Sequence, residues 1–126
     1  MMQEEKDKLI ALFDEEGRWC RGVDAVDENG HAVHYDADQA VSWDVVGGLC
    51  HLFGWKRANK LFGPLNKHLS GKKRTAGLRH LSTEATNEML AMTALLDFND
   101  DPETTYELSV SKLHDLPVWH GRTALG

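Results

Sequence analysis

Cysteine is scarce in this chain. Cys20 and Cys50 are the only two, too few for the disulfide framework that staples small secreted domains. An apolar leader is also lacking. Met1 to Lys8 is charged and the apolar stretch after it is short, which argues against a secretory signal and for a reducing cytoplasm. The longest apolar run, within Asp36–Trp55, is too short and too interrupted to span a membrane. There are no internal repeats and no low-complexity segments. The 126 residues fit one globular domain, 1–126, large enough for a core.

One further absence is local. Between Asp44 and Glu84 there is no acidic residue. That stretch holds Lys56, Arg57, Lys60, Lys67, Lys72, Lys73, Arg74 and Arg79, 8 of the 14 basic residues, so the remainder carries 6 basic against 20 acidic residues, a balance of −14. The net charge of −6 hides this segregation. Alone, the net figure speaks only to solubility.

The chain is organised around Asp36–Trp55. Asp36 reads as an N-cap with Gln39 at N3. Val41, Val45, Leu49 and Leu52 then recur at helical spacing, with Trp43, Val46, Cys50 and Phe53 beside them. A helix apolar on nearly every side is buried on nearly every side. Gly47-Gly48 costs about 1 kcal/mol per residue against Ala in a helix interior. The simplest reason for keeping it is a second helix crossing close by, and Gly54 reads as the terminator.

In chain order, Met2–Glu16 reads as an amphipathic helix closed by Gly17. Trp19–Val26 and His31–Tyr35 flank Asn29-Gly30, the strongest short hairpin signal. Trp19, Val23, Val33 and Tyr35 are expected to face inward. Trp55, Ala58, Leu61 and Phe62 continue a helical stripe until Gly63-Pro64 breaks it. Residues 72–80 read as an exposed basic loop. Ser82 or Thr83 then caps a helix carrying Ala85, Met89, Met92 and Leu96 on one face. After a turn over Asp97–Asp101, Asp101-Pro102-Glu103 opens a last helix whose stripe is Tyr106, Val110 and Leu113. Pro117 ends it and Val118-Trp119 folds back. The expected fold is mostly α (α+β), with about four to five helices packed around a central buried helix and one small β-hairpin.

Two stretches resemble a known family. The first is Arg18-Trp19-Cys20-Arg21-Gly22, the acidic Asn-Gly hairpin, and Ala40-Val41-Ser42-Trp43 with Gly48-Leu49. The second is Phe98-Asn99-Asp100 followed by Thr104 or Thr105 and Val110 to Leu113. Together they resemble a family of small uncharacterised bacterial and phage proteins, a domain of unknown function. The resemblance implies a shared fold and no known activity, so it brings no catalytic residue. Trp43-Asp44 and the long basic middle depart from the family pattern.

Chemistry-bearing constellations are few. Cys20, His31, His34 and Cys50 are of metal-ligand type, but their spacing matches no standard zinc pattern. His31 and His34, three apart in a strand, point to opposite faces. Cys50 and His51, adjacent on a helix, cannot pair with each other. No Ser lies in a nucleophile elbow, and Asn99-Asp100-Asp101 reads as turn plus cap. No catalytic residue and no cofactor are expected.

The basic residues Lys56, Arg57, Lys60, Lys67, Lys72, Lys73, Arg74 and Arg79, interleaved with Trp55, Phe62 and His68, make the sharper candidate, a nucleic-acid or anion surface. The expectation is a non-catalytic binding or accessory protein whose partner is another protein. For a phage-encoded chain, a modulator of a host system is the natural form. A nucleic-acid-binding module on residues 56–80 is the alternative, and a small metal-dependent enzyme on Cys20, His31 or His34, and Cys50 is the second. No membrane partner is expected; the Trp119 tail makes a homodimer reasonable.

Overall fold

The structure is a computed structural model, and it describes residues 1–70 and 87–118. Its elements are α1 (Gln3–Leu12), a 3-10 turn (Glu16–Arg18), β1 (Ala25–Val26), β2 (Ser42–Trp43), α2 (Val45–Leu69), α3 (Asn87–Asp100) and α4 (Tyr106–His114). The architecture is mostly helical with one small antiparallel sheet, as the hydrophobic periodicity implies. Helix α2 lies at the centre and packs most extensively on α3, and also on α1 and α4.

The central helix begins later than its apolar pattern suggests. Asp44, not Asp36, is its N-cap, accepting a hydrogen bond from Gly47 N at 2.6 Å. Residues Ser42 and Trp43 are extended instead and pair with Val26 and Ala25. Trp43 is buried in both arrangements, so its hydrophobicity alone does not choose between them. Val41, expected in the core, is exposed.

Gly47 and Gly48 are explained by close approach from two directions. A Cβ on Gly47 would sit 2.1 Å from the carbonyl oxygen of Asp24, and one on Gly48 would sit 2.8 Å from the ring of Phe13. The neighbours are thus the backbone just before β1 and the end of α1, rather than one crossing helix.

Gly54 does not end the helix. It adopts φ +82, ψ 159, a region open essentially to Gly, and the helix resumes beyond this kink. Pro64 lies inside the second half without breaking it. Pro64 is exposed, while Ala58, Leu61, Phe62, Leu65 and Leu69 form a buried stripe on both sides of it. That continuous burial outweighs the lost backbone hydrogen bond.

The Asn29-Gly30 hairpin turn is present in a different form. Asp27 accepts backbone N–H groups from Asn29 and His31 through one carboxylate oxygen, both at 2.9 Å. Gly30 takes the positive φ (82°) and Asn29 does not, so the turn is not type I′. The returning arm contributes a single bridge, Val26 to Ala32, and the regular sheet partner of β1 is β2. Trp19, Val33 and Tyr35 pack against the core as expected.

Helix α1 stops at Leu12, short of Glu16; Leu9, Leu12 and Phe13 are its buried contribution. Helix α3 runs on to Asp100, through the expected turn. Its buried row is Ala91, Leu95 and Phe98, with Met89 exposed. The small Ala91 lets α3 approach α2 where a Met would hold it away. Asp101-Pro102-Glu103 forms a turn, with Glu103 N donating to Asp101 Oδ1 at 2.9 Å. Thr105 caps α4 instead, accepting from Leu108 N at 3.1 Å. Leu113 is buried on α4, with Tyr106 and Val110 half-buried. Ser82, Thr83, Ala85 and Trp119 lie outside the described residues, as do residues 72–80.

Candidate functional site

Two arrangements concentrate polar chemistry: the outer face of α2 beyond Gly54, and a buried hub where α3 meets the start of α2.

On the outer face, Lys56, Lys60 and Lys67 are exposed. At 100° per residue they fall in one row, with axial spacings of about 6 Å and about 10 Å. None makes a salt bridge with another described residue. Trp55 is 51% exposed but lies about 100–140° round the helix from the row, its ring edge-on to the buried Phe62 at 6.0 Å. Beside Lys60 lies an open groove of about 230 Å³ lined by Asn59, Lys60, Gly63, Pro64, Asn87 and Glu88.

Arg57 leaves this row. It makes a two-point ion pair with Glu5 of α1, Nε to Oε2 at 2.7 Å and Nη2 to Oε1 at 2.8 Å. The guanidinium holds the Glu5 carboxyl below its ordinary range. His68 is likewise occupied, its Nε2 lying 3.0 Å from the carbonyl of Lys112. Lys72, Lys73, Arg74 and Arg79 lie outside the described residues.

Charge is also segregated along α2. The exposed acids Asp24 and Asp36 belong to segments packed on its N-terminal half: the Asp24 carbonyl abuts Gly47, and Asp36 Oδ1 lies 3.1 Å from His51 Nδ1. The lysine row occupies the half beyond the kink.

The hub centres on Asn99, fully buried. Its Oδ1 accepts from Trp19 Nε1 (2.8 Å) and Val45 N (3.0 Å), and its Nδ2 donates to Cys20 O (2.9 Å) and Asp100 Oδ1 (3.1 Å). Two donors on one side and two acceptors on the other fix the amide's orientation. Asp100 also accepts from Gly22 N at 2.9 Å. Arg21 lies 4.6 Å over the Trp19 ring and donates to the carbonyl of Thr104. Asp44, 1% exposed, sits beside this network. Burial pushes its carboxyl up to about 7; the Gly47 hydrogen bond opposes the shift, and Asp24 and Asp100 add to it.

The metal-type residues do not converge. Cys20 donates to Val23 O at 3.5 Å, and Cys50 is buried in α2. His31 lies beside Asp27, and His34 stacks on Tyr35 at 4.1 Å. Among the described residues, no three His, Cys, Asp or Glu side chains come together to hold a metal ion. Burial, with nearby carboxylates, pushes the Cys20 thiol up to about 12 and that of Cys50 up to about 11. Both are therefore protonated at neutral pH, the poorly nucleophilic form.

The motifs read Asn99 as part of a turn, and the buried roles of Asn99 and Asp44 escape them. Asn99 does lie one helical step on from Ala91 and Leu95, and a lone amide in an apolar row is the signal that points to it. No family model matches this chain, and neither a curated protein nor a solved structure does.

Proposed function

We propose that this protein is a non-catalytic binding or accessory protein that works through contacts with another protein, using the outer face of α2. The observation that carries this reading is the exposed row Lys56, Lys60 and Lys67 on one face of α2. Three solvent-directed cations, none of them in a salt bridge with another described residue, attract an anionic partner. The hub groups support it from the other side. Asn99, Asp44 and Cys20 are committed to internal hydrogen bonds, which is what a scaffold needs rather than a reaction.

A second reading is a nucleic-acid-binding module. It draws on the same lysine row, since Lys side chains neutralise phosphates and an exposed Trp can stack on a base. The two are separated by capture. Wild-type protein and the K56E/K60E/K67E variant, immobilised side by side, are exposed to source-cell extract with and without nuclease. The expected result is a stoichiometric protein bound to wild type, lost with the variant and insensitive to nuclease. Retention of nucleic acid alone would replace this reading with the second.

A further inference from the structure

We infer that the occupant of the α2 face is an acidic helical segment of a partner protein, running parallel to α2 with carboxylates at i, i+4 and i+11 over Lys56, Lys60 and Lys67. This deepens the proposed function and rests on it. The cations repeat at 4 and 7 residues on a helix, so a second helix laid along α2 meets each of them with the same repeat.

The rim of the adjoining groove decides between partner classes. Lys60 lies on one side and Glu88 of α3 on the other, with Asn59 and Asn87 between charged groups. A phosphate backbone carries uniform negative charge, about one per 1.7 Å of duplex. It would set like charge against Glu88 and against the strongly acidic remainder of the chain. A protein segment can instead place carboxylates over the lysines and a donor over Glu88. The amides of Asn59 and Asn87 accept or donate as that segment requires.

The test uses the full chain labelled with ¹⁵N and titrated with a synthetic helical peptide carrying Glu at i, i+4 and i+11. A second peptide replaces the three Glu by Gln, and a single-stranded oligonucleotide is the third probe. The expected result is shifts confined to the α2 and α3 amides lining the face. Affinity should fall about tenfold for the Gln peptide. K56Q/K60Q/K67Q, which changes only exposed side chains, should show the same loss while keeping the wild-type spectrum elsewhere. Equal binding of both peptides, shifts elsewhere, no binding, or tighter binding of the oligonucleotide at near-physiological salt would each overturn the inference. A captured protein that binds wild type and K56E/K60E/K67E equally would sink this surface while leaving protein binding intact. Failure to capture any protein would remove both.

Discussion

Asn99, next to last in α3, accepts a hydrogen bond at 3.0 Å from the backbone N–H of Val45, the first residue of α2. The first N–H groups of a helix have no partner within it, and here the end of one helix supplies one to the start of the next. The other end of α2 is treated alike: Lys112 of α4 donates to the carbonyl of Leu69 at 2.7 Å. The central helix is thus held at both ends by its neighbours.

Asn99→Ala would strand Trp19 Nε1, Val45 N and the Cys20 carbonyl at once. Each buried unsatisfied group costs about 1–3 kcal/mol, so a loss of at least about 3 kcal/mol is expected in urea denaturation. Asn99→Asp keeps the acceptor but cannot donate to Cys20, and it adds charge beside Asp44 and Asp100; it should also destabilise. Wild-type stability in either variant would contradict the hub.

Asp44 predicts an unusual pH dependence. Its carboxyl is raised from 3.8 unfolded to about 7 folded, so between those values the folded state binds the extra proton. Stability should therefore fall as pH rises from about 4 to about 7, by an amount on the order of a few kcal/mol. Asp44→Asn keeps an acceptor for Gly47 N and removes the ionisation. Its stability should lose that slope and at least equal wild type at pH 8. A slope unchanged by the substitution would assign the effect elsewhere.

The Glu5–Arg57 pair works in the opposite sense. Its lowered carboxyl contributes stability above the ordinary value of 4.5, and that contribution is lost as pH falls through the folded value. Arg57 is about one-third exposed, so screening limits the pair to about 1 kcal/mol. Glu5→Gln should lose that amount at neutral pH and almost nothing in strong acid. Equal losses at both pH values would show that packing, not charge, is responsible.

Gly47→Ala should cost about 3 kcal/mol, because the clash with the Asp24 carbonyl is against backbone and exceeds the helix-propensity gain of about 1 kcal/mol. Gly48→Ala meets only the Phe13 ring, which can tilt, and should cost less. Thermal melts of the two variants rank them, and the reverse order would contradict the packing described.

Helix identity was legible in the sequence and helix boundaries were not. The apolar rows of α2 were visible as a period, yet Ser42-Trp43 is extended because Val26 and Ala25 offer strand partners distant in sequence. Pro64 looked like a break because local rules omit the stripe Leu61, Leu65 and Leu69 that carries the helix through. Asp101-Pro102 looked like a helix start, while Thr105 took the cap. At the candidate site, the run without acids was plain, and the three lysines share a face as their spacing implies. That Arg57 turns to Glu5, 52 residues away, depends on how α1 packs and has no local signature. The hub at Asn99 was hidden for the same reason: beyond its neighbour Asp100, its partners come from two distant stretches of chain, Trp19-Cys20 and Val45.

The central claim is that the lysine row takes discrete carboxylates rather than a polyanion. Fluorescence anisotropy with labelled single- and double-stranded oligonucleotides, at low and near-physiological salt, tests it most directly. The account predicts no saturable binding at near-physiological salt, and only weak binding at low salt. Saturable binding that weakens steeply with salt, and disappears in K56Q/K60Q/K67Q, would contradict it and make the outer face of α2 a nucleic-acid surface.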